Sequence, residues 1–422
     1  MRASLRLSAT ALCIVAGVGT LGCASPTGDP SGGGGTGNSA GTTGSAGTGG
    51  TSSTGTGGST PAMCGPQTAP GPAGGANFPF PQHQLSPNCG YPTNCNDADV
   101  MTAWNTYKTK MITAGGAGSG LRVQRTENGN DTVSEGIAYG MVFAVYMGDK
   151  TTFDGLWTYA KAHFDGKGLM NWHIDANGGQ VGSGAATDAD EDMAFGLVMA
   201  DKQWGGYSGD ANALIAAILA KEVDGSNNLR PDDSGSTQDS NPSYFAPAYY
   251  KVFAAYTGQA RWNQVVDATY TMLNKCANAT TGLVPDWCNS SGGAARSSRY
   301  SYDATRTPFR IAQDACWNNE SRAKTYLAKV ATFFTGLGPT NIKDGYNLDG
   351  TNPSTNAAVM SFEGPAATSA MPSGTTYASF MFQVYARVSG TAKGGTSSAY
   401  NYYNGSWGVL TLLLMTGNMT PF

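Results

Sequence analysis

From Asp97 to the C-terminus, apolar residues recur at helical spacing, and many of the segments that carry them are apolar on most faces, as in 194–200 and 408–415. A helix that is apolar all round has to be enclosed by other helices, because it offers no face to water. Clusters of Gly, Pro and Asn interrupt the pattern. Between them the spacing predicts about twelve helices: 98–114, 134–148, 151–164, 189–204, 209–223, 243–257, 260–276, 302–316, 320–336, 355–371, 376–389 and 403–416. Short links make neighbours antiparallel. Twelve such helices pair as six hairpins and close as an inner ring within an outer ring. An open helical array of similar helix count is the competing arrangement, and periodicity does not separate the two.

The N-terminal part cannot join that core. Arg2 and Arg6 precede an apolar run over 7–18, and small residues lead to Cys23. The run is too short to span a membrane comfortably and has the form of an export signal over 1–23. Thr20-Leu21-Gly22-Cys23 approximates a lipoprotein cleavage box, with Leu two places before the Cys instead of three. Membrane attachment is therefore expected only through a lipid on Cys23, and both a secreted and a cell-surface form stay open. Residues 24–61 are nearly all Gly, Ser and Thr and act as a flexible tether to a folded domain over 62–422. Gly37-Asn38-Ser39-Ala40-Gly41 matches a nucleophile elbow there, but it lacks the strand and helix that an elbow requires. Residues 62–96 are Pro-rich and irregular.

Export implies an oxidising compartment. Of eight cysteines, six follow Cys23: Cys64, Cys89, Cys95, Cys276, Cys288 and Cys316. Local spacing favours Cys89–Cys95 and Cys276–Cys288. A metal site is disfavoured, because there is no CxxC pair and His83, His163 and His173 form no ligand spacing. The formal charge of -4 and the lack of a basic stretch exclude a nucleic-acid partner. No cofactor is expected, and the chain is expected to be a monomer. Aromatic residues make up 10% of the chain, more than a plain scaffold needs, and stacking on sugar rings is one use for them.

Acidic side chains at the starts of apolar helices carry the chemical signal. In Ser134-Glu135-Gly136-Ile137-Ala138-Tyr139-Gly140-Met141, Ser134 or Thr132 is expected to cap the helix. Glu135 either complements the helix terminus or is a carboxylic acid held in a dry, Tyr-lined cleft, its pKa raised by burial. In Ala186-Thr187-Asp188-Ala189-Asp190-Glu191-Asp192-Met193-Ala194, four acids crowd one helix start, and some must point inward. The Gly that an EF-hand Ca²⁺ loop requires is missing. In Tyr302-Asp303-Ala304-Thr305-Arg306-Thr307-Pro308-Phe309-Arg310, Asp303 is expected to cap a helix, and i,i+3 spacing pairs it with Arg306. That pair is either structural or a carboxylate kept ionised to act as a base. Trp172, Trp287 and the pair Tyr244-Phe245 fall in turns or at a helix start, where they either join the core or line a groove.

The chain resembles glycoside hydrolase family 8, bacterial endoglucanases with related xylanases and chitosanases. The resemblance rests on Ala186-Thr187-Asp188-Ala189-Asp190 with Met193-Ala194 and Trp204, on Ser134 to Met141, and on Tyr302 to Arg306, and it covers about 75–422. It implies an all-α (α/α)6 barrel with a long acidic cleft, and an inverting, metal-free mechanism on β-1,4-linked glycans such as glucan or xylan. By the same resemblance Glu135 is the proton donor, Asp303 the base and Asp188 the acid that orients the sugar. The resemblance also places Trp172, Tyr302 and Arg306 in the substrate cleft, and the residue pattern by itself puts Tyr139 and Tyr244 among the candidates to line it. The Asp at 303 argues against the chitosanase-type subfamily, whose base is a Glu elsewhere. Ile137 and Ala138 replace more polar residues and are expected to alter a neighbouring subsite. Two rival functions remain: a catalytically dead glycan-binding lipoprotein, which would have lost an acid, and a polysaccharide lyase, which would need a Tyr, His or Lys base that is not evident.

Overall fold

A computed structural model describes residues 75–235, 239–357, 359–394 and 400–422, all within one compact unit, Gly58–Phe422. The export signal, Cys23, the tether, the elbow-like motif and Cys64 lie outside the described residues. Among the described residues, 75–96 run without helix or strand, and twelve α-helices follow: α1 (Asp97–Met111), α2 (Ser134–Tyr146), α3 (Lys150–Ala162), α4 (Thr187–Trp204), α5 (Ser208–Lys221), α6 (Pro247–Thr257), α7 (Arg261–Cys276), α8 (Thr307–Asn318), α9 (Ser321–Leu337), α10 (Met360–Ala370), α11 (Ala378–Gly394) and α12 (Tyr402–Met415). Each answers to one segment read from the periodicity.

The even-numbered helices form the inner ring. α2 packs on α4, α4 on α6, α6 on α8, α8 on α10 and α10 on α12, and α12 returns to α2. That last contact closes the ring and excludes the open array. The odd-numbered helices lie outside, each against an inner neighbour: α3 on α2, α5 on α4, α7 on α6, α9 on α8, α11 on α10 and α1 on α12. The molecule is an (α/α)6 barrel.

Burial follows that division. Every residue of α10 is buried, every residue of α2 except Glu135, and every residue of α12 except Tyr403. The outer α7 instead buries a stripe, Trp262, Val265, Val266, Thr269, Tyr270 and Leu273, and exposes Asn263, Gln264 and Asp267. This is the spacing of a helix with one face on a core. Two inner-helix residues left unburied at their helix starts mark the end of the barrel where polar chemistry gathers.

Several sequence expectations are corrected. Neither Ser134 nor Thr132 caps α2. Val133 holds the cap position without a side-chain bond, and Thr132 Oγ1 is spent on the Val123 carbonyl (2.8 Å) and on Arg122 (3.0 Å). The helix expected over 243–257 is a 3-10 turn at Pro242–Tyr244 followed by α6 from Pro247, a residue suited to a first helical position because its missing N–H would have no partner there. The helix expected over 302–316 likewise starts as a 3-10 turn, Ala304–Arg306, ahead of α8. Cys89 pairs with Cys316, not Cys95, and ties the irregular segment to the end of α8. Cys95, buried at the approach to α1, is itself disulfide-bonded. Cys276–Cys288 forms as expected.

Small antiparallel pairings, 112–113 with 122–123, 132–133 with 173–174, 173–174 with 180–182, 239–240 with 288–289, and 299–300 with 346–347, brace the loops that lead into inner helices. Strands of two or three residues are too short to show alternation in a sequence. No helix among the described residues is long and apolar enough to cross a membrane.

Candidate active site

The four acids at the start of α4 are all buried. Successive helix positions fan out around the axis, so each meets a different partner. Asp188 Oδ2 accepts from Arg306 Nη1 at 2.6 Å. Asp190 Oδ1 accepts from the Met170 amide at 3.3 Å. Glu191 Oε1 accepts from the Tyr250 hydroxyl at 2.7 Å. Asp192 takes both terminal nitrogens of Arg310, a bidentate pair that ties α4 to α8. Of the four, Asp188 is the one that hydrogen-bonds Arg306.

Arg306 is the centre of the site. Its guanidinium is buried and meets three carboxyl groups from three parts of the chain. Nη1 donates to Glu135 Oε2 (2.5 Å) and to Asp188 Oδ2 (2.6 Å), and Nη2 donates to Asp303 Oδ1 (3.0 Å). The i,i+3 pairing of Asp303 and Arg306 forms, although the Asp303 side chain caps nothing. Its Oδ2 instead accepts from Trp287 Nε1 at 3.0 Å. Glu135 and Asp303 retain 19% and 31% of their side-chain exposure, against 3% for Asp188. Two of the three acids therefore remain open to a ligand, with a planar guanidinium between them.

One cation beside three acids cannot hold all of them ionised at low cost. Burial pushes Glu135 up to about 7. Arg306 and the Tyr402 hydroxyl oppose the shift, and Asp188 and Asp303 add to it. Asp303 is also raised, chiefly by burial, against the pull of Arg306. A carboxyl with a pKa of about 7 keeps its proton in about half of the molecules at neutral pH and in most of them at mildly acidic pH, and its neighbour across Arg306 is placed to accept one.

The aromatic residues divide into two groups. Tyr302 is exposed, its ring edge-on to Phe362 and its hydroxyl on Asp344 at 2.8 Å. Trp172 and Tyr244 are half-buried; Trp172 stands beside His173, and Tyr244 lies under Arg306, with its ring 5.3 Å from the guanidinium. Tyr139, expected in the cleft, is wholly buried against Trp407 and lines no cleft. Ile137 and Ala138 are equally buried and form part of the core instead of a subsite. Trp287, a candidate groove ring, is 8% exposed and covered by the Arg296 guanidinium at 3.8 Å. Among the described residues, no group of His, Cys, Asp or Glu is arranged to hold a metal ion.

Two residues of the site escaped the sequence reading. Tyr402 donates to Glu135 Oε1 at 2.7 Å. Asp286 accepts from the Ser301 and Ala304 amides (3.1 and 2.9 Å), which fixes the turn bearing Asp303, and burial with the charge of Asp303 pushes it up to about 6. Asn401-Tyr402-Tyr403 opens an apolar helix with paired aromatics, the pattern that marks Tyr244-Phe245 in the sequence, so a signal for Tyr402 existed.

The sequence model of the glycosyl hydrolases family 8 matches residues 78–417. The chain belongs to that family. Endoglucanase A of Acetivibrio thermocellus is 45% identical over 338 residues, 76% of this chain and 69% of that one. Endoglucanase 2 of Ruminiclostridium josui is 39% identical over 359 residues, 81% of this chain and 77% of that one. The apo structure of a β-1,3-1,4-glucanase from Paenibacillus sp. X4 superposes with a TM-score of 0.74 at 31% identity, over 82% of this chain and all of the other. The family 8 match takes in Glu135, Asp188, Asp303 and Arg306, and with them the three acidic motifs and the closed barrel.

Proposed function

We propose that this family 8 glycoside hydrolase is an endo-acting glucanase that cleaves β-1,4 bonds in cellulose or mixed-linkage β-glucan with inversion of configuration. Glu135 is the general acid and Asp303 the general base. The reading is carried by the arrangement at Arg306: two solvent-reaching carboxyl groups on either side of one guanidinium, one of them with a pKa of about 7. In an inverting hydrolase one carboxylic acid protonates the leaving oxygen while a carboxylate takes a proton from water on the opposite sugar face, and the two stand roughly 6.5–9.5 Å apart. Glu135 gives its proton to the glycosidic oxygen as the C1–O bond breaks. Asp303 takes a proton from the water whose oxygen bonds to C1. Asp188, buried and ionically tied to Arg306, keeps the guanidinium aimed at both. Trp172 and Tyr302 offer the rings on which sugars stack. The endoglucanase and β-glucanase names of the relatives support glucan as the substrate. A polymer of this kind is met outside the cell, which accords with export by the N-terminal signal.

Release of reducing ends from carboxymethyl cellulose, mixed-linkage β-glucan, xylan and chitosan tests the proposal. The glucans are expected to be cut, and Glu135→Gln and Asp303→Asn are each expected to lose about 10²–10⁴-fold in turnover while keeping the helical circular dichroism. Full activity in either variant would overturn the assignment. Cleavage of xylan or chitosan alone would replace the substrate and leave the mechanism.

A further inference from the structure

We propose that Tyr402 is a positioning residue that, with Arg306 holding Oε2, keeps the catalytic proton on Oε1 of Glu135 and stabilises the carboxylate left when it departs. This rests on the reading of Glu135 as the acid. Glu135 Oε2 faces Arg306 Nη1 at 2.5 Å, and Oε1 faces the Tyr402 hydroxyl at 2.7 Å. A guanidinium has donors and no acceptor, whereas a phenol hydroxyl both donates and accepts. A proton on Oε2 would therefore point at another hydrogen and cost the charged bond to Arg306. A proton on Oε1 keeps that bond and meets an oxygen able to rotate its own hydrogen away. The proton resides on Oε1, and the glycosidic oxygen approaches that atom.

Catalysis uses the pairing in the other direction. As Oε1 gives up its proton, the carboxylate that forms accepts a bond from the Tyr402 hydroxyl, and a bond to a charged acceptor is stronger than one to a neutral carboxyl. The interaction is thus strongest as the leaving group departs, which is where binding accelerates a reaction.

The surrounding chain holds Tyr402 to this task. Asn401 caps α12 by accepting from the Asn404 amide at 2.8 Å, and Glu127 accepts from the Tyr402 amide at 3.2 and 3.4 Å. Gly136, directly after the acid, leaves the space that the ring fills, since a Cβ there would lie 2.9 Å from Tyr402 Cε2 and 3.3 Å from its hydroxyl. The other titratable groups facing Glu135 are Arg306, Asp303, Asp188 on α4, Arg125 on the preceding loop, Tyr107 on α1, Tyr139 on its own helix and Tyr403 on α12. Of these, Arg306 is the one that hydrogen-bonds an oxygen of Glu135, as Tyr402 does the other, among the described residues.

Tyr402→Phe deletes one oxygen from the full-length enzyme. Pre-steady-state or steady-state kinetics on a soluble β-glucan across pH, with Glu135→Gln measured alongside, provide the test. Turnover is expected to fall about ten- to a hundredfold with KM little changed. The alkaline limb of the kcat profile is expected to move to higher pH, because the lost bond favoured the ionised acid. A limb that stays in place or moves down, in a folded variant, overturns the inference. If Glu135→Gln is inactive and the Tyr402→Phe limb does not move, the inference alone fails. If Glu135→Gln is active, the reading of the acid fails first.

Discussion

At the residue scale the site is a problem in charge division, and Arg306 sets the terms. One buried guanidinium serves Glu135, Asp188 and Asp303, so the acid least compensated takes up a proton. Glu135, lifted to about 7 mainly by burial, is protonated below that pH and ionised above it. Activity that needs its proton is therefore retained below about 7 and lost as pH rises through that value. Asp303, the proposed base, is also raised, so the acidic limb is expected above the ordinary carboxylate range. The bell-shaped dependence of kcat/KM on pH checks both limbs, and an alkaline limb above pH 9 would contradict the picture of Glu135. The acids were legible in the sequence because carboxylates ahead of apolar helices stand out against their surroundings. Tyr139 was misread for a geometric reason. It follows Glu135 by four residues, one turn further along the same face, and that turn carries it from the mouth into the core. Tyr402 lies 267 residues from its partner Glu135, a distance that spacing does not bridge.

At the scale of elements, α4 shows how a run of acids is absorbed by a buried helix. Its first turns send Asp188 to Arg306 and Asp192 to Arg310 on α8, across the inner ring. Both Asp192 and Arg310 are buried, so removing one partner leaves the other charge unpaired in the core. Asp192→Ala is expected to cost about 3–5 kcal/mol in urea unfolding. A loss below about 1 kcal/mol would show that the pair is not what fastens α4 to α8. The helices themselves were legible, since apolar spacing places a segment for each of the twelve. Their starts were less so. Pro247 delays α6, a 3-10 turn precedes α8, and the expected 355–371 segment begins as α10 only at Met360, because 357 is engaged in a bridge with Lys343. Side-chain caps predicted at Ser134, Thr132 and Asp303 failed because each oxygen near the mouth has another partner or none, while the cap positions fall to residues such as Val133 and Ala186.

At the scale of the whole molecule, periodicity gives the number of helices and not the closing of a ring. Closure depends on α12 reaching α2, a contact between the two ends of the domain that no local pattern encodes. It was the resemblance carried by the acidic motifs that implied the barrel. The Cys89–Cys316 bridge has the same character, joining residues 227 apart where local spacing pointed to a neighbour. The closed ring is what brings Glu135, Asp188, Arg306 and Tyr402 to one mouth from the starts of different inner helices. The account rests on Glu135 and Asp303 acting on opposite faces of the sugar. Proton NMR of a soluble β-glucan or cello-oligosaccharide during the first minutes of hydrolysis reads this directly: a new reducing end that appears first as the α-anomer is the result predicted, and one that appears first as the β-anomer would contradict it.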